Sequence, residues 1–154
     1  MRKIYNYFRA ISLAVLAGVA LAACSKDTSS SGEDPNNKKE ENKTTVAPTF
    51  SNTEVGENNS KTVQIGKQLH IETDIRAEAG IKSVVLTIQY KGEGTSSFSV
   101  NQDFPKAVGN NNGNIHNHYR VPADAKEGDY QFTLTVTDKQ DRTGVISEII
   151  KVTK

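Results

Sequence analysis

Residues 114–138 read NIHNHYRVPADAKEGDYQFTLTVTD, and their alternation decides the fold class. Ile115, Tyr119 and Val121 fall in one phase, and His116, His118 and Arg120 in the other. Past the turn-forming PADAKEGD, Tyr130, Phe132, Leu134 and Val136 alternate with Gln131, Thr133, Thr135 and Thr137. A period of two marks half-buried strands, because successive side chains of an extended chain point to opposite faces, whereas an amphipathic helix would repeat its apolar residues every 3.6. Pro122 ends the first strand, since proline has no N–H to give to a ladder. Tyr130 follows a corner at the start of its strand. It is placed to bond its hydroxyl back to the backbone a few residues upstream, as a structural tyrosine corner, although a plain core aromatic would read the same way.

The alternation continues on the N-terminal side. Across residues 67–76, Leu69, Ile71 and Ile75 alternate with His70, Glu72 and Asp74. Val84, Leu86, Ile88 and Tyr90 alternate with Val85, Thr87 and Gln89, the most β-branched stretch of the chain. Further strands are predicted within 46–55 with a second piece at 61–65, at 97–104, and at 145–152. The breaks fall at Ala79-Gly80, at Gly92 and Gly94, at AVGNNNGN and at DKQDRTG. No stretch has helical periodicity. The prediction is an all-β chain: an immunoglobulin-like antiparallel β-sandwich of about seven strands over residues 47–154.

Ahead of the sandwich the composition changes twice. Arg2, Lys3 and Arg9 precede ISLAVLAGVALAA, residues 11–23, which contain neither charge nor proline. Thirteen helical residues span about 20 Å, short of the ~30 Å hydrocarbon core, so residues 1–23 read as a signal peptide rather than a membrane span. The run ends in Leu21-Ala22-Ala23-Cys24, which resembles the bacterial lipobox, and Cys24 is the only cysteine in the chain. Cys24 is therefore the predicted lipidation site. More than one acyl chain there, palmitate among them, would anchor the protein stably, because one chain alone is marginal. Residues 25–45 contain no hydrophobic side chain, so 24–46 is predicted to be a lipidated cysteine followed by a polar linker. Its average reach is about 25 Å. Ser25, rather than aspartate, after the cysteine favours the outer membrane, with the domain facing the periplasm or the cell surface.

Composition removes several functions. The chain has 19 Lys+Arg against 18 Asp+Glu, and without its first 23 residues the balance is 16 to 18, so nothing points to nucleic acid. A single cysteine excludes an internal disulfide and any Cys-rich metal knuckle. There is no G-x-S-x-G elbow, no H-E-x-x-H and no glycine-rich phosphate loop, so no enzyme is predicted. Without tryptophan, and with Phe and Tyr mostly in core phase, the aromatic platform of a glycan binder is missing, and a glycan partner has no positive support. Asp138 and Asp141 could offer oxygens to calcium at the last hairpin, but a solvated turn is the preferred reading.

The three histidines are the whole histidine content. In an immunoglobulin-type sandwich the second and fifth strands are antiparallel neighbours, in a sheet built from the first, second, fifth and fourth. His70 lies in outward phase on the second strand, and His116 and His118 in outward phase on the fifth. All three would then share one sheet face, with opposed Cβ atoms about 4.5–5.5 Å apart, compatible with imidazoles closing on zinc or copper. Glu72 or Asp74 would be the carboxylate helper. Imidazole nitrogens unable to approach within about 4 Å would rule out a shared ion. A solvated polar strand face is the alternative.

The lipobox, the polar linker, GIKSVVLTIQY, HNHYRVPADAKEGDYQFTLTVTD and a short final strand together resemble the bacterial lipoproteins grouped as domain of unknown function 4625. The resemblance spans roughly residues 49–154 and is most specific over 116–138. It implies an immunoglobulin-like domain, with histidines at the positions of His70, His116 and His118. It also implies histidines near Gln89, Gln131 and Thr133, where this chain departs, so a metal site implied by the family would here hold part of its set. The expected function is a lipid-anchored, non-enzymatic module of the cell envelope, held to the membrane through Cys24 and displaying a sheet face or loops to a protein or glycan partner. Its alternatives are a small zinc- or copper-binding lipoprotein and an accessory glycan binder.

Overall fold

A computed structural model describes residues 46–154; the predicted signal peptide, Cys24 and the linker as far as residue 45 lie outside the described residues. The described residues form eight strands: β1 (Thr49–Val55), β2 (Thr62–Gln64), β3 (Gln68–Arg76), β4 (Ile81–Tyr90), β5 (Val100–Asp103), β6 (Asn112–Arg120), β7 (Gly128–Asp138) and β8 (Thr143–Thr153). Among the described residues the only helical pieces are 3₁₀ turns at Glu57–Asn59 and Pro105–Ala107, and no helix is long and apolar enough to cross a membrane. The strands form two sheets, β1-β3-β6 and β2-β8-β7-β4-β5.

The inward phases predicted from alternation are the buried ones. Leu69, Ile71 and Ile75 of β3, Val84, Leu86 and Ile88 of β4, Ile115 of β6 and Tyr130, Phe132, Leu134 and Val136 of β7 are at most 2% exposed and pack together between the sheets. Burying apolar area of this kind is the main stabilising contribution to the sandwich. Among the described residues every member of this core lies between Val55 and Val152, so the fragment 46–154 carries a core of its own.

Two features differ from the expected arrangement. The second piece at 61–65 is a strand in its own right, β2. It pairs in parallel with β8 while every other pairing is antiparallel, so the sandwich has eight strands. The strand predicted at 97–104 shortens to β5 and pairs with β4, not with the sheet that holds β6. The cause is the segment before it. Phe98 is buried against Tyr130 with ring centroids 5.4 Å apart, and Ser96 bonds the Tyr130 hydroxyl, so residues 96–98 are pinned at the end of β7. The chain then returns along the open edge of β4 instead of crossing to the other sheet. β6 is left as the edge of a three-stranded sheet.

Candidate metal centre

β3 and β6 pair in the register His70↔His118 and Glu72↔His116. The backbone bonds Val121 N to Lys67 O (2.9 Å), Gly66 N to Val121 O (3.0 Å) and Ala77 N to Asn111 O (2.8 Å) set which pairs are hydrogen-bonded. By alternation the odd-numbered residues of β6 bond to β3, and His116 and His118 occupy the non-bonded positions. At such positions opposed Cα atoms approach to about 4.5 Å and the side chains are closest. The result is a triangle of imidazoles. Ring centroids are 4.9 Å apart for His70–His118, 5.0 Å for His70–His116 and 5.4 Å for His116–His118. One nitrogen from each ring lies within 4.8 Å of the others. A tetrahedral zinc ion with Zn–N bonds of 2.0–2.1 Å needs nitrogens about 3.4 Å apart. His116 and His118 are exposed, so rotating their rings can close the remaining gap.

Carboxylates surround this triangle. β1 is interrupted by a bulge between Ser51 and Glu54, where Asn52 takes φ 51°, and beyond it Glu54 stands directly opposite Glu72 of β3. Two like charges face to face are unfavourable unless a cation lies between them. His70 is the group between them. Its Nδ1 is 3.5 Å from Glu54 Oε1 and its Nε2 is 3.6 Å from Glu72 Oε2. Glu72 Oε2 is also 3.8 Å from His116 Nδ1. His70 Nε2 is buried and has no hydrogen-bond partner among the described residues. An unsatisfied buried nitrogen facing two further imidazoles and a carboxylate is the donor set of a borderline metal ion. Asp74 is committed elsewhere: Asn114 and Asn52 each donate an amide N–H to it at 2.8 Å and hold its carboxyl below the ordinary range. Of the two carboxylates expected as helpers, Glu72 faces the imidazoles and Asp74 does not.

The remaining predicted residues are placed as follows. Tyr130 is fully buried, and its hydroxyl donates to the Lys126 carbonyl at 2.7 Å while Ser96 Oγ lies 2.6 Å away. Asp138 is fully buried and accepts from the backbone N–H of Gln140 (2.8 Å) and of Arg142 (3.0 Å) and from Arg142 Nε (2.8 Å). Asp141 pairs with Lys82. The Asp138 oxygens considered for calcium are therefore taken by the hairpin's own donors, and Asp141 Oδ1 is held by Lys82 of β4. Cys24 lies outside the described residues. Glu54 was missed, because counting in twos along the sequence fails across a bulge and nothing in 46–55 marks which residue is extra.

The model of the family described as domain of unknown function (DUF4625) matches residues 32–153. No curated protein matches the sequence. Among solved structures, a Niemann-Pick type C2 protein from the Japanese carpenter ant is 9% identical with a TM-score of 0.49, covering 70% of this chain and 94% of its own. The sporulation control protein of Bacillus subtilis is 12% identical with a TM-score of 0.47, covering 71% of this chain and 50% of its own. A CARDB domain from Pyrococcus furiosus, solved in complex with di-metal ions, is 14% identical with a TM-score of 0.37, covering 70% and 90%. Likenesses this loose transfer neither site nor activity.

Proposed function

The chain belongs to the DUF4625 family, and from that premise and the imidazole geometry we propose that it is a non-enzymatic, metal-binding module of the bacterial cell envelope. His70, His116 and His118 take one zinc or copper ion, and Glu72 completes the four-ligand set. The observation that carries this reading is that the three histidines of the chain, from two strands more than forty residues apart in sequence, bring nitrogens within 4.8 Å on one sheet face. Glu54, with its carboxylate 3.5 Å from His70 Nδ1, would orient the ring from behind so that Nε2 faces the ion. Nitrogen and oxygen donors without sulfur suit divalent zinc or copper. Acylation at Cys24 would hold the module at the outer membrane, and the polar linker would keep the site clear of the head groups.

The test is metal analysis of the fragment 46–154 purified without a histidine tag, followed by calorimetric titration with zinc and with copper. One equivalent should bind. The affinity should fall as pH is lowered, because protons compete for the imidazole lone pairs. The melting temperature should rise with ion concentration, since an ion that binds only the native state stabilises it by RT ln(1 + [L]/Kd). No saturable binding at micromolar metal, or the same thermal shift in all three histidine-to-alanine variants, would refute the reading.

A further inference from the structure

Four strands lie at sheet edges: β1, β2, β5 and β6. An open edge offers unpaired N–H and C=O groups to other chains, and proteins protect edges by shortness, bulges, charge or proline. Three of the four are protected. β2 has three residues, β5 has four, and β1 is broken by its bulge. β6 has nine residues, continuous register with β3, and neither proline, lysine nor carboxylate.

Since the odd-numbered residues of β6 bond to β3, the backbone groups of Asn112, Asn114, His116, His118 and Arg120 point outward from the edge. Asn112, Asn114 and His116 are exposed. A groove of about 600 Å³ runs there, with Gln102, Phe104 and Ala107 on its far wall.

We infer that β6 is a dimerisation edge: two copies of this chain pair antiparallel through β6, about a two-fold axis at His116, and join their three-stranded sheets into one of six strands. The occupant is a second copy because the edge is self-complementary in that register. On the outer face Arg120 meets Asn112 of the copy, His118 meets Asn114, and His116 meets itself, so no lysine, arginine or carboxylate faces its like. On the inner face Tyr119 meets Gly113 of the copy, and Ile115 meets Asn117. A strand of another protein would have to reproduce this pattern. The pairing does not depend on the metal reading. It does place the two imidazole clusters side by side.

The test is sedimentation equilibrium of the fragment 46–154 in the presence of a chelator, which separates this inference from metal binding. A reversible monomer–dimer equilibrium is expected. Asn114→Pro removes an N–H that the monomer does not use, so it should abolish the dimer and keep the strand-rich circular dichroism spectrum. Asn112→Arg sets two like-charged pairs against Arg120 across the axis and should weaken association about tenfold. Adding Arg120→Glu to that variant should restore it, and this charge reversal remains informative if the proline variant fails to fold. A monomer at all concentrations would overturn the inference, as would a dimer unmoved by Asn114→Pro and Asn112→Arg. So would a dimer seen only with zinc and lost in His116→Ala, which would mean a bridging ion instead of a strand edge.

Discussion

The outer faces of the two sheets are made by the same alternation and have opposite chemistry. On the five-stranded sheet the central cross-strand rows read Gln89–Gln131–Ile149, Thr87–Thr133–Ser147 and Val85–Thr135–Val145, without a histidine, and charge enters at the margins with Asp103 beside Val85 and Asp129 opposite Lys151. On the three-stranded sheet they read Glu54–Glu72–His116, His70–His118 and Asp74–Asn114. The middle of that face holds amides, hydroxyls and the exposed Val145 and Ile149, none of which calls for an ion. The other sets two glutamates against each other and leaves an imidazole nitrogen buried without a hydrogen bond, a local arrangement that lowers stability unless a cation arrives. Such a compromise marks the face on which a ligand is expected, and the five-stranded sheet serves as its scaffold.

The largest effect expected is on the scaffold side, at Asp138, the only fully buried charge among the described residues. Asp138→Ala leaves the Gln140 and Arg142 donors unmatched and should cost about 3 kcal/mol in urea unfolding, without changing metal binding. Burial pushes the Asp138 carboxyl up, but the Arg142 and Gln140 hydrogen bonds and the Arg142 charge outweigh it and hold it below the ordinary carboxylate range. Its stabilisation is therefore present above that range and lost as pH falls. Wild-type stability should drop below about pH 4 more steeply than that of Asp138→Asn.

Next in size is the contrast between the faces themselves. His118→Ala should weaken zinc binding about a hundredfold by calorimetry, because it removes one of three imidazoles. If binding persists undiminished, the two faces do not differ in the way proposed. Tyr130→Phe should then cost about 1–2 kcal/mol in thermal unfolding, because it leaves the Lys126 carbonyl and Ser96 without the phenol. An unchanged melting curve would reduce Tyr130 to a packing residue. Glu54→Gln should weaken zinc binding up to about tenfold with stability nearly unaltered, the behaviour of a group that orients a ligand without touching the ion. The smallest effect belongs to the outer face of the five-stranded sheet. Thr133→Ala should move stability by less than about 0.5 kcal/mol and leave the titration unchanged.

What the sequence determined by itself was phase. Alternation around Leu69, Leu86, Ile115 and Leu134 told inside from outside on β3, β4, β6 and β7, because side-chain direction in an extended chain depends on residue parity alone. It also placed His70, His116 and His118 outward before any coordinates. The tertiary structure decided everything that depends on which strands are neighbours and in which register. It put β5 beside β4, leaving β6 as an open edge, and set His70 opposite His118 rather than one pair further along. It chose Glu72 over Asp74 by giving Asp74 two amide partners, and it brought Glu54 into the site through a bulge. These are long-range hydrogen-bond choices. Parity is local and survives in the sequence, whereas register is settled only when the sheets close over their common core.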